Sequence, residues 1–323
     1  MGHKLIRGFD GEKKALNCMD VSLLNDQFRI PDERGIYRSF QPIYGFRKGA
    51  RHSGDIQWYI INYHILKKLA CLDFDSYLDV GAAEGYTAYL IGKLFGVKVS
   101  VCDFCEELCN KSRELFGIDS KVANGSELPY KDNEFDVVLC TETLEHIPDL
   151  PKALSELIRV ARKAVVITVP HESPELIERN ITGKGKGSSH VHSFDLNSLD
   201  HLEYPVIATG FYNPSPLLLI FARIIEAVPR KHNENMKYPK IVIDGYNTFI
   251  PVLRKFLGKR AASLLIRLDD LVCRFTTSYN GVSYVIIKDP TVEKKQSVKV
   301  SPRYLMDFSI PYHYLGKTRQ EKS

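Results

Sequence analysis

Seven residues, Asp79-Val80-Gly81-Ala82-Ala83-Glu84-Gly85, carry the first chemical signal in this 323-residue chain. An acidic side chain ends an apolar run, and small residues follow where a helix opens. Small residues let the backbone come close to a bound molecule, and the first turn of a helix offers it unpaired N–H groups. The nicotinamide-dinucleotide spacing G-x-G-x-x-G is absent, because Gly81 and Gly85 are four apart with Ala83 between them. Two further points occupy equivalent places. Asp103 follows the next apolar run, where a carboxylate can accept both hydroxyls of a ribose. Asn124-Gly125-Ser126 follows the one after, where an amide can read an adenine edge. Taken singly, Asp103 also suits a helix N-cap and Asn124 a turn. Their joint placement at the carboxyl ends of strands points to a ligand site.

A second group of reactive residues begins after the fourth strand, with Glu142-x-x-Glu145-His146. If this segment turns helically, its i, i+3 and i+4 side chains share a face. Glu142, Glu145 and His146 can then ligate a divalent ion such as Mg²⁺ or Mn²⁺, or Leu144-Glu145-His146 can serve only capping and packing. Further histidines sit in Thr168-Val169-Pro170-His171-Glu172 and in Ser188-Ser189-His190-Val191-His192-Ser193. His146, His171 and His192, with His190 beside them, are candidate general bases; otherwise they cap or close loops. Gly183 to Ser188 is expected to be mobile and to close over a substrate; it lacks the Walker pattern. Cys102-x-x-Cys105-x-x-x-Cys109 has no evident fourth ligand and reads as core.

These residues must be held by something, and the pattern says what. A helix is expected over Asp55 to Ala70, then strands and helices alternate with short connections. The strands are Ser76–Val80, Val97–Cys102, Ser120–Ala123, Phe135–Cys140 and Ala164–Val169. The helices between them are Tyr86–Phe95, Phe104–Phe116 and Leu150–Ala161. Val206–Thr209 and Val282–Lys288 add two strands, separated by helical stretches at Leu217–Val228, Thr248–Leu257 and Ala261–Phe275. This order implies an α/β chain with a Rossmann-like, doubly wound, seven-stranded, mostly parallel sheet and a helical insertion before the last strand. The expected organisation is an N-terminal extension over 1–55 serving as part of a substrate lid. A catalytic domain over 56–288 follows, including the insertion at 212–280, and then a tail over 289–323.

The residues quoted so far resemble the class I S-adenosylmethionine-dependent methyltransferases, within them the ubiquinone-pathway-like (type 11) group. The resemblance runs from about Ser76 to Asp200. It rests on Leu78 to Gly85, Asp103, Asn124 to Tyr130, Phe135-Asp136-Val137-Val138 and Cys140 to Asp149. It implies S-adenosyl-L-methionine as cofactor, with Asp79, Gly81, Ala83 and Gly85 around its methionine end. Asp103 would then hold the ribose, Asn124 and Gly125 the adenine, and Thr141 would lie beside the sulfonium. Ala83 stands where a glycine is commoner, which is tolerable at negative φ. Asn124 stands where Asp is commoner, and an amide still suits the exocyclic amine. Glu142-x-x-Glu145-His146 is similar to the arrangement in two metal-dependent O-methyltransferase groups. One acts on quinone-precursor phenols and one on the terminal ribose of small RNAs. Neither Asn-Pro-Pro-Tyr nor Asp-Pro-Pro-Tyr occurs, which disfavours base amines as acceptors.

The composition, 26% charged and 44% hydrophobic, excludes fibrous and low-complexity classes. No apolar run reaches the roughly 20 residues that span a bilayer, and no secretory signal is read at the start. The seven Cys, an odd number, suit a reducing cytoplasm better than a disulfide framework. The net charge of +5 is unevenly placed: Phe211 to Phe275 holds eleven Lys and Arg against five acids. With its apolar faces, the insertion suits a cap over the substrate pocket or a peripheral contact with anionic membrane. A nucleic-acid partner wants a stronger basic stripe. The expected function is methylation, at oxygen, of a small-molecule or lipid-like acceptor. The alternatives are a metal-dependent RNA ribose 2'-O-methyltransferase and a non-catalytic cofactor-binding module.

Overall fold

The computed structural model describes residues 40–41, 55–182, 190–211, 252, 256–257, 259–273, 279–293, 300–302 and 305. The expected helix over Leu217–Val228, most of Thr248–Leu257, the Gly183–Ser188 segment and most of the extension and tail lie outside these residues. The elements in chain order are α1 (Asp55–Leu69), β1 (Ser76–Val80), α2 (Tyr86–Phe95), β2 (Lys98–Asp103), α3 (Glu106–Phe116), β3 (Asp119–Val122) and β4 (Phe135–Thr141). A 3₁₀ turn follows at Leu144–His146, then α4 (Leu150–Val160), β5 (Ala161–Pro170), α5 (Pro174–Ile181), β6 (Val206–Phe211), α6 (Lys259–Cys273) and β7 (Gly281–Ile287).

The seven strands form one sheet in the order β3-β2-β1-β4-β5-β7-β6. β1 to β5 pair in parallel, and β7 runs antiparallel between β5 and β6. Alternation along β4 shows how the sheet is covered on both faces. Val137 and Leu139 point into a core shared with α1 and α2, whereas Val138 and Cys140 point into one shared with α4. Order reverses at β1, with β2 on one side and β4 on the other, so a crevice opens at the carboxyl ends of these strands. Ligands bind at such a place in open α/β sheets.

Two strand ends differ from the sequence reading: Asp103 and Thr141 are the last residues of β2 and β4 rather than the first after them. Residues 196–200 form turns. In α6 the leucines do not share one environment. Leu265 and Ile266 are buried against the α1 core while Leu264 and Leu271 are exposed. Polar pairing sets that rotation: buried Asp269 meets His64 of α1 at 3.3 Å, and Asp270 meets Lys67. No helix among the described residues is long and apolar enough to cross a membrane.

Candidate active site

The turn after β1 is fastened to β2. Gly81 and Ala82 donate their N–H groups to the Cys102 carbonyl at 2.9 and 3.1 Å. Gly81 has φ +74, and a Cβ there would lie 2.2 Å from the Thr143 hydroxyl oxygen. Gly85 has φ +81 and opens α2, with Ser112 Oγ 2.5 Å from the place of a Cβ. Ala83 does not stay at negative φ: it sits at +47, in the left-handed region. Asp103 holds it there, because Oδ2 accepts the Ala83 N–H at 2.9 Å while Oδ1 accepts that of Cys105 at 2.9 Å. Strained residues fixed by their surroundings gather at functional sites.

Both carboxyls at this point are buried. Burial pushes Asp79 up to about 8, with the Tyr77 hydroxyl opposing and the Asp103 charge adding. Burial pushes Asp103 up to about 6, against the N–H groups of Cys105 and Ala83. Thr141 is buried at the end of β4, and its hydroxyl has no hydrogen-bond partner among the described residues. Asn124 closes its own turn, its side-chain oxygen accepting the Ser126 N–H at 3.0 Å, and a Cβ on Gly125 would meet Ile147 at 2.6 Å. A left-handed glycine turn, a buried carboxyl on each side and a buried unsatisfied hydroxyl make a cradle. It fits the amino acid, ribose and sulfonium of S-adenosylmethionine.

Two residues far upstream, Phe40 and Gln41, brace this turn and the helix after it. Glu84, fully buried, accepts the backbone N–H groups of Phe40 at 2.8 Å and Gln41 at 3.3 Å. Gln41 in turn accepts the N–H groups of Tyr86 and Thr87 through Oε1, at 2.7 and 3.4 Å, capping α2. Its amide nitrogen reaches the Thr87 hydroxyl at 3.3 Å, and that hydroxyl donates to Asn62 of α1 at 2.8 Å. Burial pushes Glu84 up to about 7, opposed by these N–H groups. No periodicity marks Gln41, and the only signal was an acidic residue, Glu84, inside a turn of small ones.

The second cluster forms after β4. Thr143 donates to the Thr141 carbonyl at 2.9 Å, and its carbonyl accepts the His146 N–H at 3.0 Å. The Glu142-x-x-Glu145-His146 segment is a single 3₁₀ turn preceded by Glu142 at φ +48, not the helical face expected for Glu142, Glu145 and His146. The three groups whose ligand atoms lie within 4.8 Å of one another are Glu145, His146 and His190; Glu142 is not one of them. Glu145 is 1% exposed, and burial together with the Glu142 charge raises its pKa well above the ordinary value. The His146 and His190 rings stand 4.7 Å apart, edge to face.

His171 and His192 are tied elsewhere. His171 Nδ1 donates to the Phe194 carbonyl at 2.6 Å, its ring 4.5 Å from that of Tyr279. His192 Nε2 donates to the Ile147 carbonyl at 2.8 Å. A carbonyl can only accept, so the proton sits on Nδ1 of His171 and on Nε2 of His192. Cys102, Cys105 and Cys109 are buried in the core, and burial raises all three thiols.

Residues 78–169 match the protein family described as a methyltransferase domain. Among similar proteins, norajmaline N-methyltransferase of Rauvolfia serpentina is 31% identical over 28% of this chain and 34% of its own length. The chloroplastic tocopherol O-methyltransferase of Arabidopsis thaliana is 26% identical over 43% of this chain and 38% of its own. The chain thus spans between 25% and 41% of the length of curated relatives it matches. A solved phosphoethanolamine N-methyltransferase 2 of Haemonchus contortus aligns with 70% of this chain and 52% of its own, at 17% identity and a TM-score of 0.43.

Proposed function

Because residues 78–169 place this chain in the class I S-adenosylmethionine-dependent methyltransferases, type 11 group, we propose that it methylates a small-molecule or lipid-like acceptor at oxygen. One observation carries the reading: the cofactor turn and the reactive cluster share a residue. Thr143 touches the Gly81 carbonyl at 3.4 Å and, through its own carbonyl, opens the 3₁₀ turn that bears Glu145 and His146. A site for the cofactor's methionine end and a site for proton transfer therefore adjoin.

S-adenosylmethionine, when bound, supplies an electrophilic methyl group that passes to the acceptor oxygen as its bond to sulfur breaks. Asp79 holds the cofactor's amino group, Asp103 its ribose, and Asn124 with Gly125 its adenine. Gly81, Ala83 and Gly85 keep the backbone low enough for contact, and Thr141 faces the reacting end. A hydroxyl acceptor must lose its proton during transfer, whereas a neutral amine attacks with its lone pair. Two imidazoles and a carboxylate beside the cofactor turn suit the first demand. His146 is the base in this reading. His171 and His192, fixed by their carbonyl partners, shape the acceptor side.

The remaining organisation belongs to the same proposal. Residues 56–288 form the catalytic unit, 1–55 part of the lid, 212–280 a cap with peripheral membrane contact, and 289–323 a tail. The setting is cytoplasmic. The relatives include both N- and O-methyltransferases, so acceptor class is the point to test. The experiment is a labelled-methyl transfer screen against small-molecule, lipid and RNA fractions, run beside calorimetry with S-adenosylmethionine and S-adenosylhomocysteine. Label in a hydroxylated small molecule or lipid is the expected result. Label in an RNA ribose would replace the acceptor, and cofactor binding with no transfer to any fraction would make the chain a binding module.

A further inference from the structure

Glu145, His146 and His190 are arranged as ligands around a point rather than as partners of one another. Glu145 Oε1 stands 3.8 Å from His146 Nε2 and 3.9 Å from His190 Nε2, too far for a hydrogen bond. Two donors each about 2.1 Å from a shared ion stand roughly 3 to 4 Å apart. Glu145 Oε2, buried, has no hydrogen-bond partner among the described residues. A buried polar oxygen left unsatisfied is costly, and an ion at that point would compensate it.

The outer contacts point the same way. His190 Nδ1 meets Glu172 Oε2 at 2.8 Å. A carboxylate accepts only, so Nδ1 donates to it, and Nε2 is the ring nitrogen turned toward Glu145. A carboxylate on the far nitrogen is how metal-binding imidazoles are oriented. The Glu145 carbonyl also accepts the Val191 N–H at 2.9 Å, which pins the His190 segment beside the 3₁₀ turn.

We propose that Glu145, His146 and His190 form a binding site for a divalent first-row transition ion, with Glu172 as the positioning residue for His190. Two neutral imidazoles and one carboxylate favour zinc or its neighbours over magnesium, which takes oxygen ligands. Three protein ligands leave coordination positions open. The ion's role rests on the methyl-transfer reading and replaces the base named there: with His146 Nε2 on the ion, the ion lowers the pKa of an acceptor hydroxyl at the cofactor turn, and its proton leaves to solvent. The ion's binding does not rest on that reading.

The test is a titration of the metal-stripped full chain with Co²⁺, Zn²⁺, Mn²⁺ and Mg²⁺, read by calorimetry and by the visible absorption of Co²⁺. The expected result is one ion per chain, with Co²⁺ and Zn²⁺ bound more tightly than Mn²⁺ and Mg²⁺ weakest. His146→Ala and His190→Ala should each weaken Co²⁺ at least a hundredfold and alter its absorption. Glu172→Gln should weaken it by roughly ten- to a hundredfold. S-adenosylmethionine affinity is measured on the same samples and should stay within a few fold, which shows that each variant is folded. No saturable ion binding by the wild-type chain overturns the site, as does Co²⁺ binding unchanged in both histidine variants. Ion binding without any cofactor binding supports the site and overturns the methyltransferase reading instead.

Discussion

The side-chain oxygen of Gln41 accepts the backbone N–H of Tyr86 at 2.7 Å, from 45 positions earlier in the chain. That bond caps the helix whose first turn faces the cofactor cradle, and the same residue's backbone N–H donates to Glu84 inside the cradle turn. Phe40 and Gln41, well upstream of the sheet, therefore brace the turn. Gln41→Ala leaves the N–H groups of Tyr86 and Thr87 without their acceptor, which costs about 1 to 2 kcal/mol for a lost cap. The expected outcome is faster amide exchange at Tyr86 and Thr87 and several-fold weaker S-adenosylmethionine binding, measured by hydrogen exchange and calorimetry.

Gly81 admits no side chain. At φ +74 an L-residue is strained, and its Cβ would lie 2.2 to 2.8 Å from three atoms of Thr143. Since one of those atoms is Thr143 Cβ, rotation about χ1 cannot relieve the clash. Gly81→Ala should lower stability by about 1 to 3 kcal/mol and weaken the cofactor at least tenfold. Thermal melting with and without S-adenosylmethionine reads both effects; an unchanged ligand-induced shift in melting temperature would remove Gly81 from the site.

With Asp79 on the cofactor's amino group, as proposed, binding becomes a proton-linked event. The Asp79 carboxyl, raised to about 8, is largely protonated at pH 7 in the free chain. A cationic amino group favours the ionised form, so binding at pH 7 should release a fraction of a proton. Calorimetry in buffers of different ionisation enthalpy measures that release, which should vanish in Asp79→Asn.

The same shift has a sign for stability. A carboxyl raised on folding stabilises least once it must ionise. The Asp79 contribution is present below its ordinary value of 3.8 and is lost as pH rises toward about 8. Glu84 adds a loss between 4.5 and about 7. The free chain should therefore melt at a lower temperature at pH 8 than at pH 5.5, with a smaller fall in Asp79→Asn.

Asp136 behaves in the opposite way. Burial works against its ionised form. The Asp75 N–H at 2.9 Å and the Arg162 guanidinium, with Lys163 nearby, outweigh that and hold its pKa below the ordinary value. Its contribution is present above 3.8 and lost as pH falls through the lower folded value. Asp136→Asn should cost about 1.5 to 3 kcal/mol at pH 7, the scale for hydrogen bonds to a charged group. Urea denaturation at pH 7 and at successively lower pH checks both the size of the difference and its decline as the carboxyl protonates.

Much of the fold was legible because its signals are local. Apolar runs such as Leu139-Cys140 and Val165-Val166-Ile167 are buried on both faces of a sheet, and only a parallel sheet covered by helices asks for that. The residues proposed for the cofactor lie near one another for the same reason, since Asp103 and Thr141 end their strands, Asp79 stands one residue before the end of its own, and strand ends converge at a switch point. Glu142 was misplaced in the metal group because spacing was read as helical, whereas a left-handed residue and a single 3₁₀ turn occupy the segment.

By itself, then, the sequence determined the alternation of strands and helices, the acid-and-glycine turn and the identity of the residues at the strand ends. Only the tertiary structure decided which distant groups meet there. Gln41 caps a helix 45 residues away, and His190 comes to Glu145 with its other nitrogen on Glu172. The physical reason is that periodicity records which face of an element is buried, while side-chain chemistry at a site depends on distances of a few ångströms between loops. Those distances are set by packing, and no spacing along the chain encodes them.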